Sequence, residues 1–183
     1  MTKKKLYLIA LAVVLVLGCA TSSLTKFAVS NNSYVDVSAL IIFIVAIVVG
    51  PVGALVCSVG AMAGSYVVFL STGVIEGLEF YPFITFAVNC VEGVVCGYLY
   101  KYTLRNCSAK KGKILSTLCA FFIASAISFG LEFIYFLQFN AMIVGFVSGC
   151  VARLIGGAVA CLILPKVPHF FDEERYKKDL ELE

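Results

Sequence analysis

The chain alternates between long apolar segments and short polar ones, a pattern that indicates membrane crossings. Four apolar segments are each long enough for at least one crossing of ~20 residues, and they are Leu6–Leu24, Val35–Ser71, Tyr81–Tyr100 and Ile114–Leu164. As one helix, the second segment would measure ~55 Å, far more than the ~30 Å hydrocarbon core of a bilayer. We expect two spans that turn near Gly50-Pro51, because proline removes a backbone donor and glycine eases a turn.

The last apolar segment must also hold two spans, which turn near Gln138-Phe139-Asn140. The pattern therefore predicts an all-α, polytopic membrane protein, with a six-transmembrane-helix bundle at residues 1–168 and a charged cytoplasmic tail at 169–183. The predicted spans are Leu6–Ser23, Val37–Val49, Val52–Ser71, Pro82–Tyr100, Ile114–Phe136 and Ala141–Leu164. An outer loop, Leu24–Asp36, follows the first span, and a basic inner loop, Lys101–Lys113, follows the fourth.

Composition supports the membrane assignment. Hydrophobic residues make up 61% of the 183 and charged residues only 14%. A soluble domain of this length cannot use that much apolar surface, because its outside must face water. We therefore expect lipid to cover most of the molecule.

The lysines and arginines are clustered, and the clusters predict the topology. Lys3–Lys5 precede the first span, five cations fall within 101–113, and four more follow Leu164. Cytoplasmic loops carry the excess of Lys and Arg, so we expect all three clusters at the inner face of the plasma membrane and both termini in the cytoplasm. Cations beside a membrane are ordinary topology determinants, and we predict no nucleic-acid partner.

The N-terminal segment has a second interpretation. Lys3–Lys5, the apolar run and Val16-Leu17-Gly18-Cys19 resemble a lipoprotein signal that ends in a lipidated cysteine. We favour an uncleaved first span, because signal peptides normally lead into soluble domains rather than into further spans. Cleavage would leave five spans and the same cytoplasmic C-terminus, so topology does not separate the two interpretations.

Glu92 and Arg153 are ionisable residues inside predicted spans. Each lies ten or more residues from the outer end of its helix, which places it ~15 Å or more into the bilayer. Charges at that depth are costly and are usually paired or functional. Two interpretations stay open: a buried ion pair that fixes how spans four and six meet, or a site in which one or both residues bind a charged or polar ligand.

Further polar residues gather at the predicted outer ends of spans four, five and six. They are Glu79, Tyr81, Asn89, Glu132, Tyr135, Gln138 and Asn140. An acidic, aromatic-lined cavity that opens outward would suit a cationic or zwitterionic small molecule. Asn89 and Arg153 also share stripes of small residues, which should face the bundle.

The motifs of several enzyme classes are missing. The single histidine, His169, lies in the tail, and the chain has no HExxH, no GxSxG, no phosphate-binding glycine loop and no intramembrane aspartate. The eight cysteines show no ligand-like spacing. We therefore predict that the chain is not an enzyme and holds no metal or cofactor.

The third predicted span starts with a recognisable segment. It reads Gly50-Pro51-Val52-Gly53-Ala54-Leu55-Val56-Cys57-Ser58-Val59-Gly60-Ala61. This segment is similar to the "GP-x-G-A-L-V-G-A-x-G-D" start of the third helix in the substrate-binding (S) subunits of energy-coupling factor (ECF) vitamin transporters, with Ala61 in place of the aspartate. The size, the six spans, the short second span and the glycine-rich fourth span also resemble that family.

The resemblance implies a function. Such subunits capture a small water-soluble micronutrient from outside, and a transmembrane coupling protein and two ATP-binding-cassette ATPases then drive its release inward. The substrate contacts that we predict are Glu79, Asn89, Glu92, Glu132, Asn140 and Arg153. The predicted lid residues, in the first outer loop, are Asn31, Asn32 and Tyr34. The first-helix stripe that would dock on the coupling protein, with valine at its second alanine position, consists of Ala10, Val14 and Gly18.

Two other functions are compatible with the residues. A self-sufficient secondary transporter or small channel would use Glu92 to carry protons and would need no partner for uptake. A non-transporting structural membrane protein would use Glu92 and Arg153 only to hold helices together.

Overall fold

The computed structural model describes most of the chain, and most of what it describes is helix. The described residues are 3–25, 27–30, 33–35, 38–72, 80–106 and 109–136, with 147, 150, 151, 154–159 and 162 in the last part of the chain. The helices with defined bounds are α1 (Lys3–Thr25), α2 (Ser38–Val48), α3 (Pro51–Thr72), α4 (Tyr81–Asn106) and α5 (Ala109–Phe136). The predicted all-α class is confirmed for these residues, apart from a small hairpin between α1 and α2.

The hairpin consists of two antiparallel strands, β1 (Phe27–Ser30) and β2 (Ser33–Val35), with Phe27 opposite Val35. The outer loop predicted at Leu24–Asp36 therefore contains two short strands, which the sequence analysis does not predict. β-Branched and aromatic residues favour strands, and asparagines between them favour a tight turn. Local propensity thus explains a hairpin that hydropathy alone does not reveal.

Four of the described helices are long and apolar enough to cross a bilayer. Their apolar parts are Lys5–Leu24 in α1, Pro51–Ser71 in α3, Tyr81–Thr103 in α4 and Lys111–Leu131 in α5. Helix α2 is also apolar but has only 11 residues, which makes it ~16 Å long, about half of a hydrocarbon core. The described residues thus form a membrane-embedded helical protein. The predicted sixth span, at 141–164, falls mostly outside them, and the count of six stays a prediction.

The turn between α2 and α3 lies where the sequence predicts it. Gly50 has a φ of 97°, a left-handed conformation that glycine adopts without strain at the end of a helix. Its N–H donates to the Val45 carbonyl at 3.2 Å, as does that of Val49 at 2.8 Å. Pro51 then starts α3, a position where proline loses no helical hydrogen bond.

The inner loop predicted at Lys101–Lys113 is largely helical, which corrects the sequence interpretation. Helix α4 continues to Asn106, and α5 begins at Ala109. A prediction from hydropathy ends a span where charged residues begin. Lysine and arginine are good helix formers, however, so the helical hydrogen bonding continues past that point. The two helices form a helical hairpin whose connecting end is basic.

Helix α1 packs along α3 in the same direction. The hydroxyls of Ser22 and Ser65 are 3.0 Å apart. Earlier along both helices, Gly60 lies directly against the carbonyl oxygen of Leu15. Because residue numbers rise together along the two helices, α1 and α3 are parallel. Small residues at this interface let the two backbones approach closely.

Helices α3 and α4 run in opposite directions. The rings of Phe69 and Tyr81 lie 6.4 Å apart near the end of α3, whereas Gly97 lies against Pro51 at its start. The N-terminus of α1, the start of α3 and the α4–α5 connection therefore share one end of the bundle, which we call the basic end. The hairpin interpretation at Gly50-Pro51 requires this shared end.

Candidate functional site

One face of α4 is buried against α2 and α3. It carries residues at the three- and four-residue spacing of a helix face, namely Asn89, Glu92, Gly93, Cys96 and Gly97. A Cβ added at Gly93 would come within 2.6 Å of the Ala54 Cβ and 3.0 Å of the Ile42 Cγ2. A glycine at this position lets α4 approach both helices, and the approach brings two polar side chains into the interior.

Glu92 is fully buried at the centre of α4. Its side chain is 0% exposed, and it lies 11 residues from each end of the apolar span Tyr81–Thr103, which is ~16 Å along the helix. Within the apolar spans of the described helices, no other charged side chain lies at this depth. An isolated charge there costs about 2.5–3.5 kcal/mol or more. The carboxyl group must therefore be neutral, paired or bound to a cationic ligand.

Asn89 lies one turn before Glu92 and connects α4 to α2. It is 4% exposed, and its Nδ2 donates to the Ser38 hydroxyl at 3.4 Å. Ser58 of α3 is also fully buried, one turn after Ala54, which packs against Gly93 of α4. Its hydroxyl donates to the Ala54 carbonyl at 2.9 Å. We call Ser38, Ser58, Asn89 and Glu92 the buried polar cluster.

Helix α2 begins at this cluster rather than at a membrane surface. Ser38 is its first residue, and its partner Asn89 lies eight residues into the α4 span, or ~12 Å along it. The first N–H groups of a helix have no intrahelical partner and carry a partial positive charge. In transporters, half-length helices that start inside the membrane provide substrate and ion sites in this way.

The cluster offers two kinds of recognition side by side. The Glu92 carboxyl group suits an amine or another cationic group, whereas the start of α2 with the Ser38 hydroxyl suits a carboxylate or carbonyl oxygen. The Asn89 amide both donates and accepts hydrogen bonds, so it can orient a ligand between them. A small zwitterionic or amine-containing molecule matches this arrangement.

The structure brings together two of the predicted substrate contacts, Asn89 and Glu92. Glu132 belongs to the last turns of α5, away from the basic end, and its side chain is not among the described parts. Three other predicted contacts lie outside the described residues, and they are Glu79, Asn140 and Arg153. The ion pair between Glu92 and Arg153 therefore stays a prediction.

The predicted lid coincides with the β1–β2 hairpin. Tyr34 lies in β2, while Asn31 and Asn32 fall outside the described residues. The hairpin connects the end of α1, opposite the basic end, to the start of α2 at the buried polar cluster. The hairpin therefore lies, along the chain, between the end of the bundle opposite the basic end and the buried polar cluster.

The predicted docking stripe of α1 faces α3. Val14 is 6% exposed, and a Cβ at Gly18 would overlap the carbonyl oxygen of Cys57. Ala10 lies one turn earlier and is partly exposed. Outward, α1 presents larger side chains such as Val16, which is 66% exposed. A docking role for the stripe stays a prediction, and α1 offers lipid or a partner its opposite face.

Sequence reasoning missed the two serines of the cluster, Ser38 and Ser58. Each is a serine in an apolar segment, and such residues commonly serve helix packing in membranes. That signal does not distinguish them from Ser65, which bonds α3 to α1. Only the packing of α2 against α4 brings the Ser38 hydroxyl to the Asn89 amide.

In the part of the chain that the structure describes, four long apolar helices, one with a carboxyl group buried at mid-span, define a polytopic helical membrane protein. Comparison with protein-family models, curated proteins and solved structures gave no match for this chain.

Proposed function

We propose that this chain is the substrate-capturing membrane subunit of an ECF-type importer, which binds a small water-soluble micronutrient from outside the cell. The observation that carries the proposal is the buried polar cluster, in which Glu92 lies at mid-span beside Asn89 and the start of a half-length helix. Ionisable groups at such depth are costly in a bilayer and are by default functional. Helix starts inside a membrane bundle are where transporters bind substrates.

The proposal includes an orientation. The first lysines and the cations within 101–113 lie at the basic end, and an excess of Lys and Arg is typical of the cytoplasmic side. We place this end, and both termini, in the cytoplasm, with six spans in the plasma membrane. The buried polar cluster is then reached from the outer face, where the β1–β2 hairpin acts as a lid.

Import also needs an energy source. The chain has no phosphate-binding glycine loop, so a transmembrane coupling protein and two ATP-binding-cassette ATPases supply the inward release in this proposal. Glu92 binds a ligand amine or ring N–H, and Asn89 fixes the orientation of the ligand. The remaining contacts of the proposal are Glu79, Glu132, Asn140 and Arg153.

The test is mass spectrometry of small molecules that stay bound through purification in mild detergent. Three variants are compared with the wild type: Glu92→Gln, Ser38→Ala and Ser125→Ala. Ser125 is the matched control, because it is also a buried helix serine, 8% exposed, whose hydroxyl has no hydrogen-bond partner among the described residues. We expect the wild type and the control to carry the same compound, and the other two variants about tenfold less or lower still, since Glu92→Gln loses the charge that strengthens its bond to the ligand and Ser38→Ala loses a hydroxyl.

Three results would contradict the proposal. If no compound accompanies the wild type and Glu92→Gln only lowers thermal stability, Glu92 serves to hold helices together. If the purified chain alone accumulates a compound in liposomes without ATP, it is a secondary transporter rather than a capture subunit. Equal retention of the compound by all three variants would place the binding site away from the buried polar cluster.

A further inference from the structure

The outer surface of α4 near the basic end carries two exposed tyrosines. Tyr98 is 61% exposed and Tyr102 is 65% exposed, and they lie one helical turn apart. Lys101 is partly exposed beside them on the same helix. Tyrosine is enriched where the hydrocarbon of a bilayer meets the headgroups, because its ring is apolar and its hydroxyl is polar.

The start of α5 continues this surface across the connection between the two helices. Thr103 Oγ1 donates to the Gly112 carbonyl at 3.4 Å, which places exposed Lys111 at the level of the tyrosines. Lys113 is used differently: it is 5% exposed, and its Nζ lies 5.9 Å from the centre of the Tyr100 ring. This cation–π contact joins the two helices, whereas Lys111 is exposed.

The charge of this surface has one sign. Between Glu92 and Glu132 the sequence contains five cations and no acidic residue. The apolar spans of α4 and α5 end at Thr103 and Lys111, so these cations lie where the headgroups of a surrounding bilayer begin. Clusters of Lys and Arg at this level attract anionic lipids.

We propose that Tyr98, Lys101, Tyr102 and Lys111 form a binding surface for the headgroups of anionic phospholipids. The tyrosine rings lie at the level of the lipid backbone, and the lysines contact the phosphates. A lipid is favoured as the occupant because the surface is continuous with exposed apolar side chains of α5, Ile114 and Leu115, that lipid tails must cover in any case. The inference stands on the α4–α5 hairpin and is independent of the proposed import function.

The chain contains no tryptophan, which allows a direct test. Tyr102→Trp places the single tryptophan on the surface, and Phe133→Trp places it at the far end of α5, where Phe133 is 53% exposed. Each variant is reconstituted in mixed vesicles in which either phosphatidylglycerol or phosphatidylcholine is brominated, and quenching is compared at equal mole fraction. At position 102 we expect quenching that corresponds to about fivefold or greater enrichment of phosphatidylglycerol. At position 133 we expect no enrichment.

Two further measurements connect the enrichment with the lysines. In the Tyr102→Trp chain, Lys101→Gln with Lys111→Gln should abolish it, because each cation near an anionic surface contributes about a fivefold preference. If that variant does not fold, raising the salt to about 0.5 M with both lysines present should remove most of the enrichment by screening. Equal quenching by the two brominated lipids at position 102 would overturn the proposal, and so would the same enrichment at position 133.

Discussion

The close approach of α1 and α3 makes a sharp prediction about one glycine. A Cβ at Gly60 would overlap the carbonyl oxygen of Leu15 and lie 3.0 Å from the backbone nitrogen of Cys19. Both are backbone atoms, so Gly60→Ala forces α1 to move away from α3 by about 1 Å, and such overpacking costs about 1–3 kcal/mol. We expect the variant to be less stable by that amount.

Gly130 of α5 provides the matched control. An added Cβ there meets no heavy atom within 4 Å among the described residues. Both substitutions replace a helical glycine by alanine and gain the same helix propensity of up to ~1 kcal/mol. The difference in unfolding free energy between the two variants therefore measures the cost of the steric overlap at Gly60. For a chain of this length, a difference of 1–3 kcal/mol corresponds to about 2–12 °C in Tm.

A thiol-reactive fluorogenic dye in detergent gives the required measurement. Cys57 and Cys96 are 0% exposed and should react only when the bundle opens, after the accessible cysteines have been blocked. Gly60→Ala should show a lower Tm than Gly130→Ala. A Gly60→Ala variant as stable as Gly130→Ala would refute the close packing of α1 on α3, and with it the parallel arrangement of these helices.

Two further predictions concern the helix arrangement. In a double-mutant cycle, Ser22→Ala and Ser65→Ala should show a coupling of about 0.5–1.5 kcal/mol in unfolding stability, because their hydroxyls bond across α1 and α3; additive effects would contradict that bond. In intact cells, a membrane-impermeant thiol reagent should leave Cys107 unlabelled in a single-cysteine chain, whereas Ser71→Cys, exposed near the far end of α3, should be labelled. The reverse labelling pattern would place the basic end outside and remove the basis of the proposed orientation.

Hydropathy predicted the long helices well and their ends poorly. The predicted spans that correspond to α1, α3, α4 and α5 overlap those helices, because a bilayer requires the same length and apolarity in any fold. The basic segment Lys101–Lys113 was wrongly predicted as a loop, since hydropathy reports where water begins and not where helical hydrogen bonding stops. Hydropathy also did not predict the strands at Phe27–Ser30 and Ser33–Val35, because short strands are indicated only by the β propensity of a few residues.

The candidate site was predicted only in part. Glu92 and Asn89 stand out from their depth in an apolar segment, which the sequence alone supplies. Ser38 carries no such signal, because its partner lies 51 positions along the chain. Likewise, the sequence marks Gly18 as part of a smooth stripe, but it does not say which helix the stripe meets, and the structure places it against α3.

The sequence by itself determined that this protein belongs in a bilayer, where its long helices run, and that the chain reverses at Gly50-Pro51. These features follow from the free energy of moving apolar side chains out of water and from the backbone conformations that proline and glycine allow. Both effects act within a short stretch of sequence. Only the tertiary structure decided that α1 lies parallel to α3 and that α2 begins beside Asn89, inside the apolar span of α4. Those two facts depend on which helix surfaces fit each other, a property of side chains far apart in sequence that meet only when the bundle closes.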